Sequence, residues 1–208
     1  MAGLDESSTP HHGLHRPAST ELAEAERLVT EGLLRHVVGG VYAPAHLVDT
    51  AGLRAAAALV ALAGTVSARR AVSPAGDPAA AVVGHATAAW LHAGWVPPAR
   101  VDLVIAPGST RLRSTALRLH EHRLAAEDVD RVGGLLVTNP VRTGADVART
   151  LAPSTAVRLL DGLSRACSLR PVDVLDQLER MPHGRGVARA RVVVHTWASA
   201  VASRPINP

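Results

Sequence analysis

The chain has no lysine and no phenylalanine, a single cysteine and a single tyrosine, and aromatic residues make up 2% of its 208 positions. Each shortage excludes something. Without lysine there is no phosphate loop of the G-x-x-x-x-G-K-[ST] type and no nuclease centre of the Asp…Glu-x-Lys type. The strings G-x-S-x-G, H-E-x-x-H and C-x-x-C are also missing. The lone Cys167 excludes an internal disulfide, fits a reducing cytoplasm, and reads as a small buried hydrophobe on a helix. So few aromatic rings make base stacking a poor model for binding single strands. No apolar run is long enough to span a bilayer; the best candidate, AAAALVALAGTV, reads as a buried helix. The opening MAGLDESSTP is polar and acidic, unlike a secretory signal.

What is present is enough hydrophobic material for a sizeable core, 47% of the chain. All 22 basic residues are arginine, and the formal net charge is only +4. The high pI of 10.7 follows because almost nothing titrates between neutral pH and the arginine range. Position is more informative than the total. Residues 1–50 hold three Arg against seven acidic residues, residues 51–150 hold eleven against seven, and residues 151–208 hold eight against four. The positive charge lies in the middle and the C-terminal part.

The pattern along the chain predicts an α+β fold in three stretches. Residues 1–18 have no period and read as a flexible arm. Residues 19–48 read as a small winged-helix-like unit. Ser19 or Thr20 caps a helix with Leu22, Ala25, Leu28 and Val29 on one face, and Gly32 ends it. Leu33–Val38 and Val41–Ala43 then flank the turn-forming pair Gly39-Gly40. Residues 49–204 read as a mixed α/β middle with a small sheet, followed by a helical cluster. That middle begins with a helix over Leu53–Leu62. Val82–Val83 leads into a helix over His85–His92, closed by Gly94. Val101–Pro107 is a buried strand. TALRLHEHRL alternates, with Leu117 and Leu119 on one face and Arg118, His120 and His122 on the other. Leu135–Thr138 is a further strand. After Pro140 four segments have helical spacing, with Thr138-Asn139-Pro140 and Ser154 as entry signals.

Two chemistries are worth weighing. His120 and His122 form a His-x-His pair that could ligate a metal, although no third ligand is evident and Arg118 would repel a cation. Arg111, Arg113, Arg118 and Arg123 gather around one loop and strand and are candidates for phosphate contacts, joined by Arg35 in the hairpin. Glu121 and Glu127 sit among them. The helix before the hairpin carries Glu21, Glu24, Glu26 and Glu31 against Arg27, a poor surface to offer DNA. In VTNPVRTGADVAR, Thr138 and Asn139 leave a strand, Pro140 fixes the turn, and Thr143 starts a helix. Arg142 and Asp146, four residues apart, pair as that helix begins.

The phrases GGVYAP, VVGHATAAWLHAGW, VDLVIAPG, LRLHEHRL and GGLLVTNPVRTGADVARTL, in this order, resemble the actinobacterial AbiEi-type antitoxin-like proteins. Those are transcriptional regulators of type IV toxin–antitoxin systems. The resemblance covers about Leu28 to Arg191. Its most specific piece is Val137 to Arg149, similar to the family's V-T-x-P-x-R-T-x-x-D-x-A-R and including Thr138, Arg142, Thr143 and Asp146. It implies a winged-helix N-terminus before a mixed α/β antitoxin domain. It also implies a cytoplasmic, non-enzymatic autorepressor that binds operator DNA and needs no cofactor, metal or membrane. Its functional antagonist would be a nucleotidyltransferase-like toxin, with no stable complex required. Longer relatives continue into a nuclease-like domain; this chain ends at VASRPINP, so that activity is not carried over. Two alternatives stand beside this reading: a protein-interaction module that has lost DNA binding, and a metal-dependent enzyme using His120 and His122.

Overall fold

A computed structural model describes residues 13–63, 70–72, 80–95, 97–109, 115–181 and 185–203. The fold is α+β, with a two-stranded hairpin, a five-stranded mixed sheet and a helical C-terminal cluster.

The first unit is helix α1 (Leu22–Thr30) followed by strands β1 (Leu34–Val38) and β2 (Val41–Pro44). Gly39 and Gly40 both have positive φ, as a tight hairpin turn requires. The expected caps at Ser19 and Thr20 are not used. The residue before the helix is Glu21, whose carboxylate accepts from the Ala18 amide three residues earlier. Of the expected apolar face only Ala25 is fully buried, and Leu22 is exposed. The arm, from Gly13 on, is tied down: His15 and Tyr42 exchange backbone hydrogen bonds at 2.8 and 2.9 Å, and Arg16 donates to the Ala61 carbonyl. A free hairpin edge takes up the extra strand-like pairing.

The hairpin does not stand apart from the rest. Val37, Val38, Val41 and Ala43 share one core with helix α2 (Ala51–Leu62) and with one face of the large sheet. The alanines of α2 let it approach closely, and Thr50 caps it by accepting from the Leu53 amide.

The sheet runs β5-β4-β3-β7-β6, built from β3 (Val82–Val83), β4 (Val101–Ile105), β5 (Leu117–Glu121), β6 (Val129–Val132) and β7 (Leu135–Thr138). The pairs β3–β7 and β4–β5 are parallel; β3–β4 and β6–β7 are antiparallel. Between β3 and β4 lies helix α3 (His85–Ala93). The second core is helical: α4 (Pro140–Thr150), α5 (Pro153–Cys167), α6 (Pro171–Glu179) and α7 (Val187–Ala202) pack around Leu160, Leu163, Val194 and Trp197. Each of α4, α5 and α6 starts on proline, whose fixed φ and missing N–H suit the first turn. Ser154 therefore lies inside α5, one residue past Pro153, and is not its cap. Likewise α4 begins at Pro140, three residues before the expected Thr143, because Asn139 caps it by accepting from the Arg142 amide at 2.8 Å.

Candidate functional site

A polar seam runs where the sheet meets the helical cluster. Its first part sits on strands β4 and β5. In their parallel register Asp102 lies opposite Arg118, and Asp102 is buried. His120 donates from Nε2 to the Asp102 carboxylate at 2.9 Å, and the Thr87 hydroxyl reaches the other carboxylate oxygen at 3.3 Å. Arg118 lies 3.8 Å from the same carboxylate and is otherwise open to solvent. The charge expected to be free for phosphate is thus partly answered within the sheet.

His85 stacks on His120, with ring centroids 3.6 Å apart and planes 19° from parallel. His122 follows at 6.0 Å from His85. His85 opens helix α3 with φ at 51°, a left-handed backbone uncommon for a residue with a side chain. Before it, Gly84 is required: a Cβ there would sit 2.6 Å from Val104 Cγ2. The His85 tautomer follows from its neighbour. Thr150 donates its hydroxyl to the Asp146 carbonyl, so it accepts from His85 Nδ1–H at 3.2 Å. Nε2 of His85 is then an acceptor, and it is buried without a partner. Burial foremost, then the repulsion of His120, pushes the His85 pKa down to about 3 against the pull of Asp102. Burial lowers His122 as well, with Arg149 and Arg142 adding to it and Asp146 opposing. His92, also lowered by burial, donates from Nε2 to the Thr138 carbonyl at 2.8 Å.

The second part of the seam is the string Thr138–Arg149. Thr138 and Thr143 are linked through their hydroxyls at 2.7 Å. Arg142 is buried and bridges two carboxylates, donating from Nε to Asp146 at 2.9 Å and from Nη1 to Asp128 at 2.7 Å. The expected Arg142–Asp146 pair is therefore present, and Asp128 makes it a triad. Arg149 donates to the other Asp146 oxygen and to the Arg185 carbonyl. Gln177 on α6 donates to Asp128 at 3.0 Å. Burial lowers the Arg149 pKa below the ordinary arginine value, against the attraction of Asp146. This triad joins the sheet edge to α4 and α6, and a buried ion that loses its partner is costly.

The triad forms the floor of an open cleft of about 650 Å³ between the loop after β5 and helices α4 and α6. His122, Arg123 and Arg180 stand at its sides. Arg123 and Arg180 are exposed, and neither has an ion-pair partner among the described residues.

The sequence-level candidates therefore divide. Arg118 and Arg123 are neighbours in sequence but serve different parts of the seam. Arg35, in the hairpin, is half-buried with its guanidinium 3.5 Å from the Leu47 carbonyl. Arg111 and Arg113 lie outside the described residues. On α1, Arg27 is held between Glu24 and Glu31, so that helix offers no free cation. Of the His120–His122 pair, His120 is engaged by the Asp102 carboxylate and the His85 ring, and no group of three or more His, Cys, Asp or Glu suits a metal among the described residues. Sequence reasoning missed Asp128, just before β6, and Gln177 and Arg180, on α6 and at its C-terminal end. His85 and His92 sit at the two ends of α3, His85 buried and His92 half-buried with its ring donating to the Thr138 carbonyl.

No family model and no curated protein matches the chain. Among solved structures, it is similar to the Rv2827c protein from Mycobacterium tuberculosis, at 16% identity and a TM-score of 0.42, over 89% of this chain and 70% of that one.

Proposed function

We propose that this chain is a non-enzymatic, DNA-binding regulator of the AbiEi-like antitoxin class. In this reading it represses the operon that encodes it and opposes a nucleotidyltransferase-like toxin without needing a stable complex. One observation carries the proposal: Arg123 and Arg180 stand exposed, with no ion-pair partner among the described residues, beside one cleft whose floor holds two more guanidinium groups. Arginine is weakly hydrated and matches phosphate oxygens with a planar fork of donors, so an unpaired rim of this kind suits a nucleic-acid backbone. The contact surface moves accordingly, away from the hairpin and α1 and toward the cleft rim, with Arg118 as a weaker flank.

Two or three phosphate contacts give a salt slope of about −2 to −3 in log K against log salt. A mobility-shift titration on the chain's own upstream DNA at several salt concentrations measures it. Arg123→Ala and Arg180→Ala should each flatten the slope by about one, uniformly across sequences. A shift that ignores salt, or one whose slope survives both substitutions, would remove the rim from the account; no shift at any salt would remove DNA.

A further inference from the structure

The floor of the cleft has a property that the rim does not. Arg142 spends Nε and Nη1 on Asp146 and Asp128, and Arg149 spends Nε and Nη1 on the Arg185 carbonyl and Asp146. In both residues Nη2 makes no hydrogen bond among the described residues, and neither nitrogen is sealed from solvent. Both residues line the cleft. Two charged donors are thus held in place by buried carboxylates, with a hydrogen-bonding position left over on each. A site whose donors are already ordered needs no rearrangement to accept an anion.

The charge sets the class of anion. The four guanidinium groups of Arg123, Arg142, Arg149 and Arg180 face Glu127 and Asp128 in the lining, with Asp146 behind. That leaves a surplus of one positive charge, and two when His122 takes a proton. A phosphate monoester carries between one and two negative charges near neutral pH, and its three terminal oxygens can accept from several donors at once. The volume of about 650 Å³ exceeds what the phosphate alone would fill and leaves room for the group that carries it.

We propose that this cleft is a binding site for a terminal phosphate monoester, held on its floor by the free Nη2 groups of Arg142 and Arg149 and closed at its rim by Arg180 and Arg123. The monoester comes either from a free mononucleotide or from the 5′ end of an oligonucleotide; the chemistry read is the same. The inference goes beyond operator binding, because a promoter offers internal phosphodiesters only.

Calorimetric titration of the full chain at fixed ionic strength tests it with inorganic phosphate, adenosine 5′-monophosphate, adenosine, and hexathymidylate with and without a 5′-phosphate. Saturable binding of the phosphorylated probes, with adenosine and the 5′-hydroxyl oligonucleotide silent, is the expected result. A mononucleotide that outbinds the phosphorylated oligonucleotide marks a small-molecule site; the reverse marks a strand-end site. Arg180→Ala, an exposed change, should weaken the phosphorylated probes about tenfold. Arg170→Ala, on the exposed start of α6 outside the cleft, should leave them unchanged. Arg149→Lys keeps a cation beside Asp146 but withdraws Nη2, and should weaken binding in a sample whose thermal melt shows it folded. Absence of saturable binding by phosphate and the mononucleotide overturns the inference, as does equal weakening by Arg180→Ala and Arg170→Ala. A mobility shift on 5′-hydroxyl operator DNA together with silent titrations would leave the regulator reading standing and this one refuted; the opposite pair of results would do the reverse.

Discussion

Acid should destabilise this protein through His85, and the size of the effect can be worked out. In the folded chain the ring is buried, donates from Nδ1 to Thr150, and has its pKa pushed down to about 3. In the unfolded chain it titrates near the ordinary histidine value of 6.5. Above pH 6.5 neither state holds the proton and the group contributes no pH dependence. Below pH 6.5 the unfolded state gains a proton that the folded state refuses until pH 3, so folding loses about 1.4 kcal/mol per pH unit. By pH 5 the loss from this one group is about 2 kcal/mol, a large part of the usual margin of a folded domain. His92 and His122 are lowered in the same direction and steepen the slope. The perturbation is His85→Asn, since asparagine accepts the left-handed backbone that this position requires. The variant starts less stable at pH 7.5, having lost the stack on His120. Its stability should then fall with acid by about one proton less than the parent's. Urea unfolding at fixed pH values from 5.0 to 7.5 measures both slopes. Parallel lines for parent and variant would refute the reasoning, because they would mean that His85 takes up its proton equally in both states.

Two further outcomes follow from the same geometry. Arg142→Met leaves Asp128 and Asp146 buried without the cation between them and should cost about 3–5 kcal/mol in urea unfolding; a loss under about 1 kcal/mol would mean the triad does not join the sheet to the helices. Gly84→Ala places a methyl 2.6 Å from the stiff, buried Val104 side chain and should cost about 1–3 kcal/mol, with a double-mutant cycle to Val104→Ala showing strong non-additivity; additive losses would contradict the contact.

Local rules read well in this sequence, and distance defeated the rest. The Gly39-Gly40 turn, the Val101–Ile105 strand, the entry to α4 at Asn139-Pro140 and the Arg142–Asp146 pair all depend on neighbours within about one turn, and all are present. Strand β6 is not legible because Val129–Val132 is only four residues long and breaks the apolar–polar alternation, with Asp130 and Arg131 exposed between two half-buried valines. The pair Gly133-Gly134 that joins it to β7 has positive φ at both residues, as a tight hairpin turn requires. The site itself was the least legible part. Asp102 meets His120 only through the parallel register of β4 and β5, and His85 reaches the pair only because β3 lies antiparallel to β4. Asp128 and Gln177 join Arg142 across three elements. Arg118 and Arg123, expected around one loop and strand, meet different partners for the same reason. Strand alternation turns Arg118 toward Asp102, whereas Arg123, past the end of the strand, lines a cleft shared with Arg180 at the C-terminal end of α6.

The string VTNPVRTGADVAR therefore holds two roles in one set of atoms. Thr138, Thr143, Arg142, Asp146 and Arg149 are buried and tie the sheet edge to α4 and α6, while the two arginines also line the cleft. A conservative change at either arginine alters stability and binding together, so loss of binding there cannot by itself assign a ligand. Arg123 and Arg180 differ in this respect: they are exposed, unpaired among the described residues, and outside both cores. Surface changes of that kind usually move stability by less than about 0.5 kcal/mol. A large effect on anion affinity at these two positions, with an unchanged melt, separates what the cleft binds from what holds it together.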